Sequence, residues 1–201
     1  MVDMPIFYLL AGPNGAGKST LYKSLTHDGM IDAAVPFVNA DLFEAAYLQH
    51  LHDPEARSLA ARNWADTRRA ELLAAKQSFA SETVFSHISK LALIDDARRA
   101  GFFVMLFVVG LDDPKHLLLR VRQRVSEGGH TVPDERILAR YPRTMAHLKL
   151  AIPKAHAALV YDSYDLKHPA HELVAASQDG RIVMQQPNLP PWAKTVLGLA
   201  S

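Results

Sequence analysis

Apolar residues in this chain fall into short continuous blocks, separated by longer stretches in which they recur at helical spacing. Ile6-Phe7-Tyr8-Leu9-Leu10-Ala11 is the first block, and its unbroken apolar character predicts a strand buried on both faces. A helix is expected from Lys18 until about Gly29. Phe37-Val38-Asn39-Ala40 is a second strand, ending at Asp41, and a mostly helical stretch runs from Leu42 to about Gln77. Within that stretch Asp53-Pro54 reads as an N-cap followed by proline at the first helical position. Phe79 to Val84 is a third strand. Ser86 is placed to cap a helix that ends at Gly101 and carries Ile88, Leu91 and Ile94 on one face.

Phe102 to Val109 is the longest apolar block and the clearest strand. Asp113-Pro114 opens a helix that Gly128-Gly129 ends. Pro133 opens another, with Asp134 and Glu135 in the turn where the helix dipole favours them, and Pro142 is expected to kink or interrupt it. Ala157 to Tyr161 is a fifth strand. Leu173–Ser177 and Arg181–Met184, joined through Asp179-Gly180, predict a hairpin. The segment from Pro187 to Trp192, with three prolines, is expected to be extended. Strands alternating with helices in this way predict an α/β fold with a mainly parallel sheet.

The loop after the first strand carries the chemistry. Gly12-Pro13-Asn14-Gly15-Ala16-Gly17-Lys18-Ser19 matches G-x-x-x-x-G-K-[ST], the phosphate-binding P-loop, and lies between a strand and a helix as that motif requires. Glycines let successive backbone N–H groups turn toward a phosphate, and the following helix adds its positive end. Lys18 supplies a charge for the β- and γ-phosphates, and the Ser19 hydroxyl is a hard oxygen suited to Mg²⁺. The expected cofactors are therefore ATP and Mg²⁺. Nucleotide contacts are expected from Gly12 through Thr20.

Phosphoryl transfer also needs a group to orient or deprotonate the acceptor and positive charge on the transferred phosphate. Two carboxylates stand at predicted strand ends, Asp41 and Glu82, although Asp41 could instead cap the helix at Leu42. Which of them serves the metal is open at this stage. Arg120 and Arg124 are four apart on one helix, and Arg136, Arg140 and Arg143 share a face on the next. Glu127-Gly128-Gly129-His130-Thr131-Val132-Pro133 joins the two. The arrangement predicts a lid over about 113–150 that closes on a triphosphate, with Arg124 and Arg140 as its main contacts and Arg120 and Arg143 behind them. His130 either touches phosphate or acceptor, or serves the hinge. His168 and His171 form only an i,i+3 pair in a loop-like stretch.

Composition narrows the function classes. Cysteine is absent from the 201 residues, which excludes disulfides, thiolate metal sites and a cysteine nucleophile. Lys plus Arg is 22 against 21 for Asp plus Glu, a net charge of +1 that argues against a nucleic-acid partner bound by bulk charge. No apolar run approaches the length of about 20 residues needed to span a bilayer, and the first four residues hold no basic leader. One soluble cytoplasmic domain over 1–201, without a membrane partner, is the expectation.

Taken together, the P-loop through Thr20, Asn39-Ala40-Asp41, Ser81-Glu82-Thr83, and the stretch from Arg120 through Gly128-Gly129-His130-Thr131-Val132-Pro133 to Arg140-Tyr141 resemble the zeta toxin family of P-loop kinases. The likeness runs from Ile6 to about Asp162. It implies a sheet of about five parallel strands flanked by helices. It also implies phosphorylation of a sugar hydroxyl on a UDP-linked N-acetyl amino sugar. By position, Lys18 would hold the phosphates, Asp41 would act as base, Glu82 and Thr83 would lie by the acceptor, and the arginines of 120–143 would clamp the γ-phosphate. A short antitoxin partner is implied by the family alone. Two rivals stand beside this reading: another small-molecule kinase of the same fold, and a nucleotide-dependent switch or ATPase acting through a protein partner.

Overall fold

The structure, a computed structural model, describes residues 4–126, 133–163 and 171–200. Its strands are β1 (Ile6–Ala11), β2 (Phe37–Val38), β3 (Phe79–Thr83), β4 (Phe103–Gly110), β5 (Ala157–Asp162), β6 (Glu172–Gln178) and β7 (Arg181–Gln185). Its α-helices are α1 (Lys18–His27), α2 (Ala40–Tyr47), α3 (Pro54–Ala74), α4 (Leu91–Arg99), α5 (Pro114–Ser126), α6 (Asp134–Ala151) and α7 (Pro191–Leu197). None of the described helices is long and apolar enough to cross a membrane.

All seven strands form one sheet in the order β2-β3-β1-β4-β5-β6-β7. The first five in that order are parallel, and β6 and β7 continue the sheet antiparallel from β5. The expected count of about five is thus corrected to seven. The predicted hairpin forms, with Asp179 and Gly180 both at positive φ, but its first strand pairs with β5 and so lengthens the sheet.

Strand periodicity divides the core between two faces. Phe7, Leu9 and Ala11 of β1 join Val104, Leu106 and Val108 of β4 in one apolar cluster, covered by α3, α4, α7 and the second half of α6. Tyr8 and Leu10 join Phe107 and Val109 in the other, covered by α1 and α5. α6 touches both: Ile137 lies in the second cluster, and Met145, Leu148 and Ala151 lie in the first. Tyr141, between them, donates its hydroxyl to Leu111 O at 2.7 Å.

Several local expectations change. The second strand stops at Val38, and Asn39 caps α2 by accepting from Leu42 N, so Asp41 stands in the first turn of a helix and neither ends a strand nor caps. The helical stretch after it is split into α2 and α3, with Asp53-Pro54 opening α3 as expected. His87, not Ser86, caps the turn that leads into α4, its Nδ1 accepting from Ser89 N. Pro142 does not interrupt α6, because the residues after it are fixed from outside the helix. Thr144 donates to Val84 O at 3.2 Å, His147 Nδ1 donates to Phe85 O at 3.0 Å, and Leu148 is buried. The segment after Pro187 is not extended throughout, since Pro190 and Pro191 start α7.

Candidate functional site: a P-loop and an adjoining cleft

The P-loop leaves the C-terminal end of β1 and turns into α1 under tight steric control. A Cβ on Gly12 would sit 2.1 Å from Val109 O, so only glycine lets the loop cross β4 that closely. Gly17 caps α1 in the left-handed region at φ 94°. Lys18 is 5% exposed, and its Nζ donates to Pro13 O at 3.0 Å, inside the loop's own curl. Asn14 is buried with its Oδ1 unpartnered, a polar atom left over for a ligand at the loop.

Glu82 ties the P-loop to the neighbouring strands. Because β3 lies beside β1, with Leu10 opposite Glu82, the carboxylate reaches the start of α1. Its Oε2 accepts from Ser19 Oγ at 2.6 Å and from Asn39 Nδ2 at 2.9 Å, and its Oε1 lies 3.5 Å from Lys18 Nζ. Asn39 therefore bonds in two directions, its oxygen capping α2 and its amide holding Glu82. One residue earlier, Ser81 donates to Val38 O and accepts from buried Arg69 of α3. Arg69 also pairs with Asp66 one turn before it.

Beside Glu82 opens a cleft of about 620 Å³, walled by α2, α3, the segment after β3, and α6. Asp41 and Thr83 line it, together with Arg136, Arg140 and Arg143 of α6. Asp41 is exposed to the cleft, while Glu44, one turn on, is buried and paired with Arg57 at 3.4 Å. Burial, and then repulsion from Arg136, Arg143 and Arg62, hold the Arg140 guanidinium below its ordinary range.

Arg120 stands elsewhere. Its guanidinium donates to Ser163 Oγ at 2.6 Å and Ser163 O at 2.7 Å, at the end of β5. His171 lies next to this pair and packs over Gly17, where a Cβ would meet its Nε2 at 2.7 Å. Burial, and then Arg120, push the His171 pKa down, partly offset by nearby backbone of Gly17 and Ala16.

Lys18, Ser19, Asp41, Glu82, Thr83, Arg140 and Arg143 are thus gathered around one P-loop and one cleft, and Arg120 is set apart from the cleft lining. The side chain of Arg124, and Gly128, Gly129 and His130, lie outside the described residues. Three lining groups, Arg62 and Arg69 of α3 and Lys90, were not singled out in the sequence, nor was Ser163 beside the P-loop, and His171 was read there only as half of an i,i+3 pair with His168, which lies outside the described residues. Arg62, Asp66 and Arg69 recur at i, i+4 and i+7, a one-face pattern legible in principle within a long charged helix.

The zeta toxin family model matches residues 2–165 of the chain. A protein of Haemophilus influenzae (strain ATCC 51907 / DSM 11121 / KW20 / Rd), described as uncharacterised, is 30% identical over 147 residues, covering 70% of this chain and 94% of that one. Among solved structures, the PezAT chromosomal toxin–antitoxin system of Streptococcus pneumoniae matches with a TM-score of 0.61 and 16% identity over 80% of this chain and 68% of its own. The AvrRxo1-ORF1:ORF2 structure with ATP matches at 0.68 with 16% identity, over 89% of this chain and 60% of its own. These likenesses carry the fold, and the family match covers most of the chain, including the P-loop, Glu82 and α5. The chain belongs to the zeta toxin family and is an ATP-dependent P-loop kinase.

Proposed function

We propose that the protein transfers the γ-phosphate of ATP to a hydroxyl of a small polar acceptor bound in the cleft, and that the acceptor is a UDP-linked N-acetyl amino sugar. The observation that carries this reading is the shared cleft: Asp41 faces it from α2, Glu82 closes it at the P-loop, and the α6 arginines line it. The acceptor oxygen attacks the γ-phosphorus, the bond from that phosphorus to the β,γ-bridging oxygen breaks, ADP leaves, and the hydroxyl proton passes to Asp41. Lys18 and the P-loop N–H groups hold the phosphates, with Arg120 at the nucleotide. Arg140 and Arg143 meet the γ-phosphate as charge develops on it, together with Arg124 as the family likeness implies. Thr83, and by the same likeness His130, orient the acceptor.

Mg²⁺ fits the donor set here. The Ser19 hydroxyl and Glu82 carboxylate are hard oxygens 2.6 Å apart beside the phosphate loop, and Mg²⁺ is usually held by one or two such protein oxygens plus substrate phosphates. Ser19, with Glu82 beside it, would hold the ion, which neutralises charge on the β- and γ-phosphates when bound.

The whole chain acts as one kinase domain in the cytoplasm, where its donor is found. The lid is the arginine-bearing stretch over about 113–150, with α6 tied to the core by Ile137 and, beyond Tyr141, by Met145, Leu148 and Ala151. By analogy with the PezAT system, an antitoxin protein is its partner. The test is incubation with Mg²⁺, ATP and UDP-N-acetylglucosamine, followed by mass spectrometry. A product one phosphate heavier is expected. Phosphorylation of a free sugar or another alcohol alone would keep the kinase and remove the acceptor assignment. ATP hydrolysis indifferent to every acceptor would favour a switch.

A further inference from the structure

His171 stands at the P-loop on the side away from the cleft, and nothing in the phosphoryl-transfer step uses it. Strand order fixes that side. β3, which carries Glu82, flanks β1 in one direction, while β5, which leads into Ser163, lies two strand spacings or about 10 Å in the other. A triphosphate whose γ-phosphate points toward Glu82 and the cleft therefore carries its nucleoside end past Gly17 toward β5. Polar side chains from separate elements converge there. α5 packs under the loop, where a Cβ on Gly15 would meet Leu117 O at 2.7 Å, and it brings up Arg120, which donates to Ser163 Oγ and O. The His171 ring closes the group: a Cβ on Gly17 would lie 2.7 Å from its Nε2 and 3.6 Å from Ser163 Oγ. That Nε2 is buried and makes no hydrogen bond, a costly state for a ring nitrogen and one that a bound ligand relieves. Burial, and then Arg120, keep the imidazole neutral, against the pull of the Gly17 and Ala16 backbone; among the described residues Arg120 is the charge that acts on it.

We infer that His171 binds the nucleotide's phosphate chain at its nucleoside end, taking up a proton as the nucleotide enters and donating Nε2–H to a phosphate oxygen. The proton comes from solvent and joins the neutral ring; no other covalent bond forms or breaks. A bare Nε2 would turn its lone pair toward phosphate oxygens, whereas an imidazolium makes a charge-assisted bond to them. The phosphate chain supplies the negative charge that the free site lacks, so the charged ring is favoured only with nucleotide in place. By linkage, nucleotide affinity rises as pH falls from 8 toward 6, opposite to the effect of acid on the stability of the empty fold. The inference rests on the ATP site of the kinase reading and adds to it a proton-coupled contact from outside the P-loop motif.

Calorimetry with Mg²⁺ and ADP at pH 6.5, in buffers of different ionisation enthalpy, counts the protons exchanged on binding. Exchange by the nucleotide and the metal is common to the wild type and His171→Gln, so the difference between the two proteins belongs to His171. The wild type is expected to take up at least about 0.3 proton more than the variant, and to gain about threefold or more in ADP affinity relative to it between pH 8 and 6. Selective ¹³C labelling of histidine follows the same group without a substitution: one ring resonance should titrate at higher pH with ADP bound than without. Equal proton uptake by the two proteins, or the absence of any histidine whose titration moves upward with ADP, overturns the inference. Weaker ADP binding by the variant with unchanged proton uptake overturns it too, because it marks a neutral contact. The kinase reading fails separately, when ADP does not bind the wild type at all.

Discussion

Glu82 receives a hydroxyl, an amide and an ammonium at once, from Ser19, Asn39 and Lys18, and that convergence separates its role from that of Asp41. Glu82→Gln keeps the shape but turns one acceptor oxygen into a donor facing other donors. Turnover is expected to fall by about 10²-fold or more, with a raised Mg²⁺ requirement, because the carboxylate beside the P-loop lysine, proposed above to help hold Mg²⁺, is lost. Initial rates over a Mg²⁺ series measure both effects, and a variant with an unchanged Mg²⁺ dependence would remove Glu82 from the metal. Asp41 is exposed in the first turn of α2 and lines the cleft proposed for the acceptor. Asp41→Asn is expected to lower turnover by about 10²-fold or more while ATP still binds. Joint loss of ATP affinity and turnover would move Asp41 to the nucleotide. The P-loop itself was fully legible, since its chemistry is local in sequence. The partnership of Asn39 with Glu82 was not, because 43 residues separate them and only the adjacency of β2 and β3 brings them together.

Elements at the two ends of the chain show the same division. The apolar blocks that became β1, β4 and β5 were legible because a strand buried on both faces has no polar alternation to confuse it. α7 was not, because three prolines in a short span look like extended chain. Pro190 and Pro191 instead sit where the first helical N–H groups would lack partners anyway. The helix matters because it brings Trp192 across the end of the sheet, against Gly110, where a Cβ would meet the indole ring at 2.6 Å. The Trp192 indole N–H donates to buried Asp162 Oδ1 at 2.7 Å, and the Trp192 backbone N–H donates to Asp112 at 2.8 Å. Burial raises the Asp162 pKa, and the indole bond works against that rise. Trp192→Phe keeps an aromatic ring but strands the carboxylate, so a loss of about 1–3 kcal/mol is expected in urea denaturation. An unchanged midpoint would show that this bond adds nothing net to the anchoring of α7.

At the scale of the molecule, β1 and β3 are neighbours whose connections leave in opposite directions, α1 to one face of the sheet and α4 to the other, and the P-loop and Glu82 meet over the crevice this opens. The opposite end of the sheet is held partly by His156, which joins β4, β5 and β6. Its ring Nδ1 accepts from Val104 N at 2.9 Å, its backbone N–H donates to Val104 O at 3.1 Å, and its backbone carbonyl accepts from Asp179 N at 2.9 Å. Accepting at Nδ1 requires the ring to be unprotonated there. Burial, and then Arg98, lower the His156 pKa against the opposing pull of Asp179, as burial and Arg120 lower that of His171. Both groups therefore take up a proton more readily in the unfolded chain, whose histidines titrate near pH 6.5. Their contribution to stability is complete above that pH and is lost as pH falls below it toward the folded values. Urea midpoints are expected to drop between pH 7.5 and 5.5. His156→Ala should cost about 1 kcal/mol at pH 7.5, where Val104 N loses its acceptor, and should flatten the acid decline. A wild-type midpoint that holds or rises over that interval would reverse the sign of the coupling and remove both histidines from it.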